Sequence, residues 1–343
     1  MTFAASRLKH LSHRVKKRRS AGTLILMYHR VAEPECDPWG LCVSPSHFRQ
    51  HLEVLREHGS VIPLQRLVES VAAGKVNRQG VVVTFDDGYA DNYHTAKPLL
   101  DHFDVPATVF VTTGTIGDSS GFWWDELANF LLRRESVPAI LDVTIDGRNY
   151  LWAIEESEFD TQSPRWYESW KAWEPAPTKR HELYFTLWRI MSRLRKDQQD
   201  QVLERLADWI GLGRDRYRSN SQLTAEQVSK LAEDDLLEIG AHTVTHTSLP
   251  ILCADVQRNE IFESKSYLEQ VLERPIRSFA FPYGNYVQDT VALVRAAGFT
   301  SACTTARQMV KSGADCFGMP RLQVLDCDGE AFAKKLSRWF AQD

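Results

Sequence analysis

Short apolar runs alternate with amphipathic segments along most of this chain. β-Branched and aliphatic residues predict strands near 23–29, 61–64, 81–85, 107–112, 236–241, 278–281 and 301–305. Apolar residues at helical spacing predict helices over 46–58, 65–73, 91–103, 224–234, 255–273, 287–297 and 329–340. This alternation is typical of βα units around a mostly parallel sheet, with enough strands to close a barrel.

The alternation stops between about 126 and 220. A hairpin is predicted at the Asp146-Gly147 turn, and helices are predicted near 178–195 and 197–210. We therefore predict a single α/β domain over residues 21–343 that carries a mainly helical insertion at about 126–220.

The composition adds one local feature to this picture. A hydrophobic content of 43% and a net charge of −4 describe an ordinary globular domain, with no electrostatic reason to expect a nucleic-acid partner. Residues 1–20, however, hold seven Lys or Arg residues and no acidic residue. This basic arm is either a solvated terminus or a peripheral contact with anionic lipid or a partner.

Apolar segments and cysteines predict where the protein acts. No uncharged apolar stretch approaches the roughly 20 residues that span a bilayer, and the run at 23–27 is short for a signal peptide. The six cysteines are scattered and form no CxxC pair, which fits a reducing compartment. We expect a cytoplasmic protein, with the arm as a candidate contact to the inner membrane face.

Two adjacent carboxylates, Asp86 and Asp87, follow the apolar strand at 81–85. Like charges raise each other's pKa, so such a pair is costly unless a cation or a proton is shared. One carboxylate can bind a metal while the other acts as a base, and Gly88 permits a tight turn. The alternative is a loop that caps a helix.

Two histidines, His242 and His246, follow the predicted strand at 236–241. Histidines four residues apart can bind one ion, and functional side chains of α/β barrels gather at the carboxyl ends of the strands. Two histidines and a carboxylate leave coordination positions open, which suits metal-assisted hydrolysis. Taken alone, such a pair is more often a surface coincidence than a metal site.

A turn at 281–284 follows the strand at 278–281 and reads Phe-Pro-Tyr-Gly. Its backbone N–H groups can point to the same end of the barrel and bind a developing oxyanion. An ordinary Pro-Gly turn is the alternative.

Together, TFDDGY at 84–89, HTVTH at 242–246 and FPYG at 281–284 resemble the motifs of the polysaccharide deacetylase family, which includes the NodB-like enzymes and carbohydrate esterase family four. FWWDEL at 122–127 and the segment 313–322 are also similar to family members. The resemblance implies a distorted (β/α) barrel, a divalent metal and removal of acyl groups from sugars. The expected metal is Zn2+, with Co2+, Ni2+ and Fe2+ as alternatives.

The resemblance also assigns roles to residues. It implies Asp87, His242 and His246 as metal ligands, Asp86 as the general base and the amide of Tyr283 as an oxyanion donor.

Two departures from the family pattern concern the remaining groups. Ala280 stands where the family has an arginine that orients the base, and the late segment 320–324 lacks the usual histidine acid. The MYHRV segment at 27–31 resembles the exopolysaccharide deacetylase branch, where that histidine motif is moved to the start of the chain, so His29 is the predicted acid. Arg321, or less favourably Arg30, is the predicted replacement for the missing guanidinium.

We therefore predict a metal-dependent hydrolase that removes N-acyl groups, N-acetyl foremost, from a carbohydrate or from a lipid- or nucleotide-linked sugar precursor. The alternatives are a weakened carbohydrate-binding descendant and a deacylase or deformylase of a non-polymer amide. The candidate substrate contacts are Trp123, Trp124, Pro282 and Arg321. A sugar-stacking platform can also include Trp166, Trp170 and Trp173, with core packing as the alternative.

Overall fold

A curled parallel sheet forms the centre of the fold. The computed structural model describes residues 22–76, 78–118, 121–154, 170–212 and 222–341, so the arm at 1–20 and Trp166 lie outside the described residues. The strands are β1 (Thr23–Tyr28), β2 (Arg30–Val31), β3 (Cys42–Val43), β4 (Gly80–Phe85), β5 (Ala107–Val111), β6 (Ile140–Ile145), β7 (Arg148–Ala153), β8 (Leu237–Ala241), β9 (Ser278–Ala280), β10 (Ser301–Cys303) and β11 (Leu322–Gln323). The central sheet has the order β10-β9-β8-β5-β4-β1-β11, and its pairs are parallel.

Helices occupy most of the connections between the strands. They are α1 (Pro45–His58), α2 (Leu64–Ala72), α3 (Lys97–Phe103), α4 (Trp123–Leu131), α5 (Lys179–Met191), α6 (Lys196–Trp209), α7 (Ala225–Leu231), α8 (Ala254–Leu272), α9 (Gln288–Ala296) and α10 (Gly329–Trp339). The capping box predicted at the start of α7 is present, because Thr224 and Gln227 exchange side-chain to backbone hydrogen bonds.

Burial explains why β1 and β4 are continuous apolar runs. Every residue of both strands is buried, as expected for a parallel sheet covered on both faces. The predicted distorted (β/α) barrel is confirmed as a curled half-barrel. It is not closed, since β10 pairs with β9 and β11 pairs with β1 at opposite edges.

The strand predicted at 61–64 is wrong. Val61 makes a single bridge to Val81, and α2 begins at Leu64, directly after Pro63. Leu64, Leu67, Val68 and Val71 are buried at helical spacing, so the apolar residues at the end of this segment serve a helix.

The elements between α4 and α6 pack around a second apolar core. The predicted hairpin is confirmed, with β6 and β7 antiparallel and the turn residues Asp146 and Gly147 both at positive φ. The fully buried Arg180 of α5 donates hydrogen bonds to the carbonyl of Leu131, the last residue of α4, and to the carbonyl of Arg134 in the segment that follows. This contact satisfies carbonyls that the helix end leaves free.

Among the described residues, no helix combines the length and the apolar content that crossing a bilayer requires.

Candidate metal and catalytic site

A cavity of about 650 Å3 lies at the carboxyl ends of the central strands. Eight of the residues selected from sequence line it: His29, Asp86, Asp87, Trp124, Trp173, His242, His246 and Tyr283. They come from segments far apart in sequence, which the parallel strands bring to one edge of the sheet.

Asp87, His242 and His246 form a buried cluster in this cavity. Oδ1 of Asp87 lies 3.3 Å from Nε2 of His246 and 3.5 Å from Nε2 of His242. The potential ligand atoms of the three residues lie within 4.8 Å of one another. A carboxylate oxygen and two imidazole nitrogens that converge in this way are a donor set typical of Zn2+ and related divalent metals.

The hydrogen bonding of His242 indicates that a positive charge between Asp87 and the two histidines is stabilising. Nδ1 of His242 donates to the carbonyl of Ala280 at 2.8 Å, so in the neutral ring Nε2 presents a lone pair toward Asp87. Burial by itself would lower the pKa of His242, but the facing carboxylate of Asp87 outweighs it and raises the pKa. A proton or a cation therefore relieves the repulsion, and the residues present fit a divalent metal.

The backbone around these ligands is held in a costly conformation. Asp87, Thr243 and His246 have φ of 77°, 65° and 58°, and such left-handed residues cost of order 1–3 kcal/mol each. Glu260 of α8 stabilises the histidine loop, because its carboxylate accepts from the amides of Val244 and Thr245 at 2.9 Å each. Two of the three proposed ligands, Asp87 and His246, thus carry backbone strain, as is common at functional sites.

Asp86 is paired with Arg321 beneath the cluster. Nη1 and Nη2 of Arg321 donate to Oδ1 and Oδ2 of Asp86 at 2.6 Å each. Nε of Arg321 donates to the carbonyl of Thr304 at 3.0 Å. Burial would raise the pKa of Asp86, but the charge of Arg321 outweighs it and holds the pKa below its usual value. Ala280 stands at the position where the family has an arginine, and Arg321 supplies the guanidinium that pairs with Asp86 instead.

Arg30, the other arginine considered for this role, lies elsewhere. Its Nε donates to Asp91 at 2.9 Å.

Replacing Arg321 with Met should lower the free energy of unfolding by about 3–5 kcal/mol, because Asp86 is left buried without its counter-charge. The pKa of Asp86 lies below its unfolded value, so the stabilisation from this pair is present at neutral pH. It should fall as the pH falls through the folded pKa. Urea unfolding at several pH values measures both effects. Arg66→Met is the control, because that side chain is 70% exposed and pairs with Glu69. Equal unfolding curves for the two variants would contradict this account of the pair.

His29 and Tyr283 lie in the cavity with the carboxylates. His29 directly follows β1, and its backbone carbonyl accepts a hydrogen bond from Asn92 at 2.8 Å. The ring of Tyr283 packs edge-on against His246 with centroids 4.8 Å apart. Gly284 has φ of 71°, and a Cβ there would lie 2.6 Å from the amide of Thr305, so the turn after β9 requires glycine.

Three of the predicted substrate contacts are corrected by their burial. Arg321 is completely buried beneath Asp86, and Trp123 and Pro282 are buried without lining the cavity. Trp124 does line it. Among the other tryptophans considered, Trp170 packs in the core of the insertion and Trp173 is 55% exposed at the cavity.

Sequence reasoning missed much of the cavity wall. Trp39 and Trp188 line the cavity and pack on each other with centroids 4.1 Å apart, and Arg307, Gln323 and Leu325 lie on the same wall. The packing of α5 onto the segment after β2 brings the two tryptophans together, and no local motif signals that packing.

The model of one protein family matches this chain over residues 73–137 and 181–302, together more than half of its length, and that family is described as polysaccharide deacetylase. The chain belongs to the polysaccharide deacetylase family. The matched segments contain Asp86, Asp87, His242 and His246.

Curated relatives in this family match the chain over a limited segment. YxkH of Bacillus subtilis, a protein named for the same family, is 31% identical over 105 residues, which is 30% of this chain and 36% of that protein. The poly-beta-1,6-N-acetyl-D-glucosamine N-deacetylase of Staphylococcus aureus is 28% identical over 109 residues, or 32% of this chain and 36% of that one. The chain thus spans about a third of the length of these relatives.

Solved structures share the fold over nearly the whole chain. The Streptococcus pyogenes deacetylase PplD, solved with acetate, aligns with a TM-score of 0.57 and 17% identity over 93% of this chain and 98% of that one. IcaB from Ammonifex degensii aligns with a TM-score of 0.57 and 18% identity over 94% and 99%. At this identity the likeness concerns the fold.

Proposed function

We propose that this protein is a metal-dependent hydrolase that removes N-acetyl groups from a carbohydrate. The observation that carries the proposal is the arrangement in one cavity of the Asp87, His242 and His246 cluster beside Asp86, which is ion-paired to Arg321. Membership of the polysaccharide deacetylase family supports the same reaction.

Asp87, His242 and His246 would hold the metal. When bound, a divalent cation supplies a Lewis acid that polarises the amide carbonyl and makes water a stronger acid. All three residues are buried, and low exposure to water strengthens electrostatic interactions between them and a bound cation.

Asp86 is the proposed general base. Arg321 keeps it ionised, and its Oδ2 lies 4.0 Å from Nε2 of His242, so the carboxylate borders the metal cluster. From there it would accept a proton from the attacking water as the C–O bond to the acyl carbon forms. The bidentate contact with Arg321 fixes the orientation of the carboxylate.

His29 is the proposed general acid, which protonates the amine as the C–N bond breaks. Replacing it with Ala should lower kcat for an N-acetylated sugar by roughly 10²–10³. The same variant should hydrolyse 4-nitrophenyl acetate nearly as well as the unchanged protein, because nitrophenolate leaves without protonation. An equal loss on both substrates, or no loss on the sugar, would contradict this role.

Hexosamine glycans are the proposed substrate class. The Staphylococcus aureus relative is named for poly-beta-1,6-N-acetyl-D-glucosamine, and the cavity wall contains Trp39, Trp173 and Trp188, whose faces suit the apolar side of a pyranose ring. Acetate release from N-acetylglucosamine oligomers, compared with lipid- and nucleotide-linked acetamido sugars, tests this class. Preference for a linked precursor would favour the alternative substrate.

A further inference from the structure

The FWWDEL segment at 122–127 contains the first residues of α4 and lies beside the metal cluster. Its Trp124 packs edge-on against the proposed ligand His246, with ring centroids 4.8 Å apart, and it lines the cavity. The indole also stacks on Phe122, with ring centroids 4.3 Å apart and an interplanar angle of 9°. Trp124 is therefore a wall of the cavity directly beside the metal cluster.

A chain of hydrogen bonds determines the orientation of this wall. Nε1 of Trp124 donates to the hydroxyl of Tyr89 at 2.9 Å, and that hydroxyl donates to Oδ2 of Asp125 at 3.0 Å. Tyr89 is completely buried. The hydroxyl of Tyr89 is both donor and acceptor. Its single proton is used in the bond to Asp125, so a lone pair accepts from the indole N–H of Trp124.

Tyr89 is itself held from two directions. The guanidinium of Arg30 lies 4.4 Å from the centre of its ring, and Arg30 is fixed by the ion pair with Asp91. Tyr89 also follows Asp87 by only two residues, so the same loop carries a proposed metal ligand and the group that orients Trp124.

The carbonyl carbon under attack must lie beside the metal cluster, and Trp124 is one of the cavity residues that border this cluster. We propose that Tyr89 and Asp125 are positioning residues that fix Trp124 in the cavity wall and so limit the size of the acyl group accepted. This inference rests on the proposed function and concerns the same cavity. It predicts that acetyl groups fit in the cavity, whereas longer acyl groups clash with the indole of Trp124.

Tyr89→Phe tests this directly, because it keeps the ring and removes the hydroxyl that holds Trp124. The kcat/KM for N-propionyl relative to N-acetyl glucosamine oligomers should rise about tenfold, which is the scale of discrimination for one methylene. Asp125→Leu should act in the same direction. Asp125→Asn should keep the propionyl to acetyl ratio of the unchanged protein, since its amide oxygen still accepts from Tyr89.

Tyr184→Phe is the matched control. Tyr184 is also completely buried, and its hydroxyl accepts from Nε1 of Trp39 at 3.0 Å, so the two variants lose the same kind of bond. It should leave the propionyl to acetyl ratio unchanged. If Tyr89→Phe also leaves the ratio unchanged while acetate is released, the positioning role is overturned. If the unchanged protein releases no acid from either substrate, the proposed function fails, and this inference fails with it.

Discussion

Replacing Asp86 with Asn should lower turnover of an N-acetylated sugar by roughly 10²–10⁴-fold, the contribution expected from a general base. The amide cannot accept the proton from water, while Asp87, His242 and His246 keep their donor atoms. Metal content should therefore remain at one equivalent. The two readouts, initial rate and metal analysis on the same sample, separate loss of the base from loss of the metal site.

The same substitution also leaves Arg321 buried without a counter-charge, which costs stability. The double variant Asp86→Asn/Arg321→Met removes that unpaired charge, and it should regain stability while remaining inactive. Asp326→Asn serves as the control, because that carboxylate is half exposed and pairs with His47. Recovery of turnover in the double variant would show that charge imbalance, and not loss of a base, caused the defect.

Removing two metal ligands together should have the largest effect on metal binding. The double variant Asp87→Ala/His242→Ala leaves His246 as the only protein ligand of the proposed set, and one imidazole does not hold a stoichiometric metal at neutral pH. Metal content after dialysis should fall from one equivalent to near zero, and turnover should disappear. His47→Ala is the control, since it removes an imidazole that pairs with Asp326. A full equivalent of metal in the double variant would refute the ligand assignment.

The parts of the fold with strong local patterns could be predicted from sequence. Continuous apolar runs identified β1 and β4, and the Asp146-Gly147 pair identified the β6 and β7 hairpin. The strand prediction for 61–64 failed because a short apolar run is compatible with a strand or a helix, and a helix begins directly after Pro63. β11 was missed because two residues carry no periodicity.

The functional site could likewise be predicted only in part from the sequence. Motif residues that follow strands could be expected to meet, because parallel strands place their carboxyl ends together. The contact between Arg321 and Asp86 depends on how a side chain from before β11 crosses the interior, which spacing alone does not determine. Arg321 could be proposed as a candidate from chemistry, but its burial could not be predicted. Membrane contact through residues 1–20 and a cytoplasmic location stay predictions from sequence.

The most direct test of the account is acetate release from N-acetylglucosamine oligomers by the protein before and after removal of its metal with a chelator. We expect release by the purified protein, loss of release when the metal is removed, and recovery when one equivalent of Zn2+ or a related divalent ion is returned. Release that continues at the same rate in the metal-free protein would contradict the central claim, as would no release from any acetamido sugar by the metal-loaded protein.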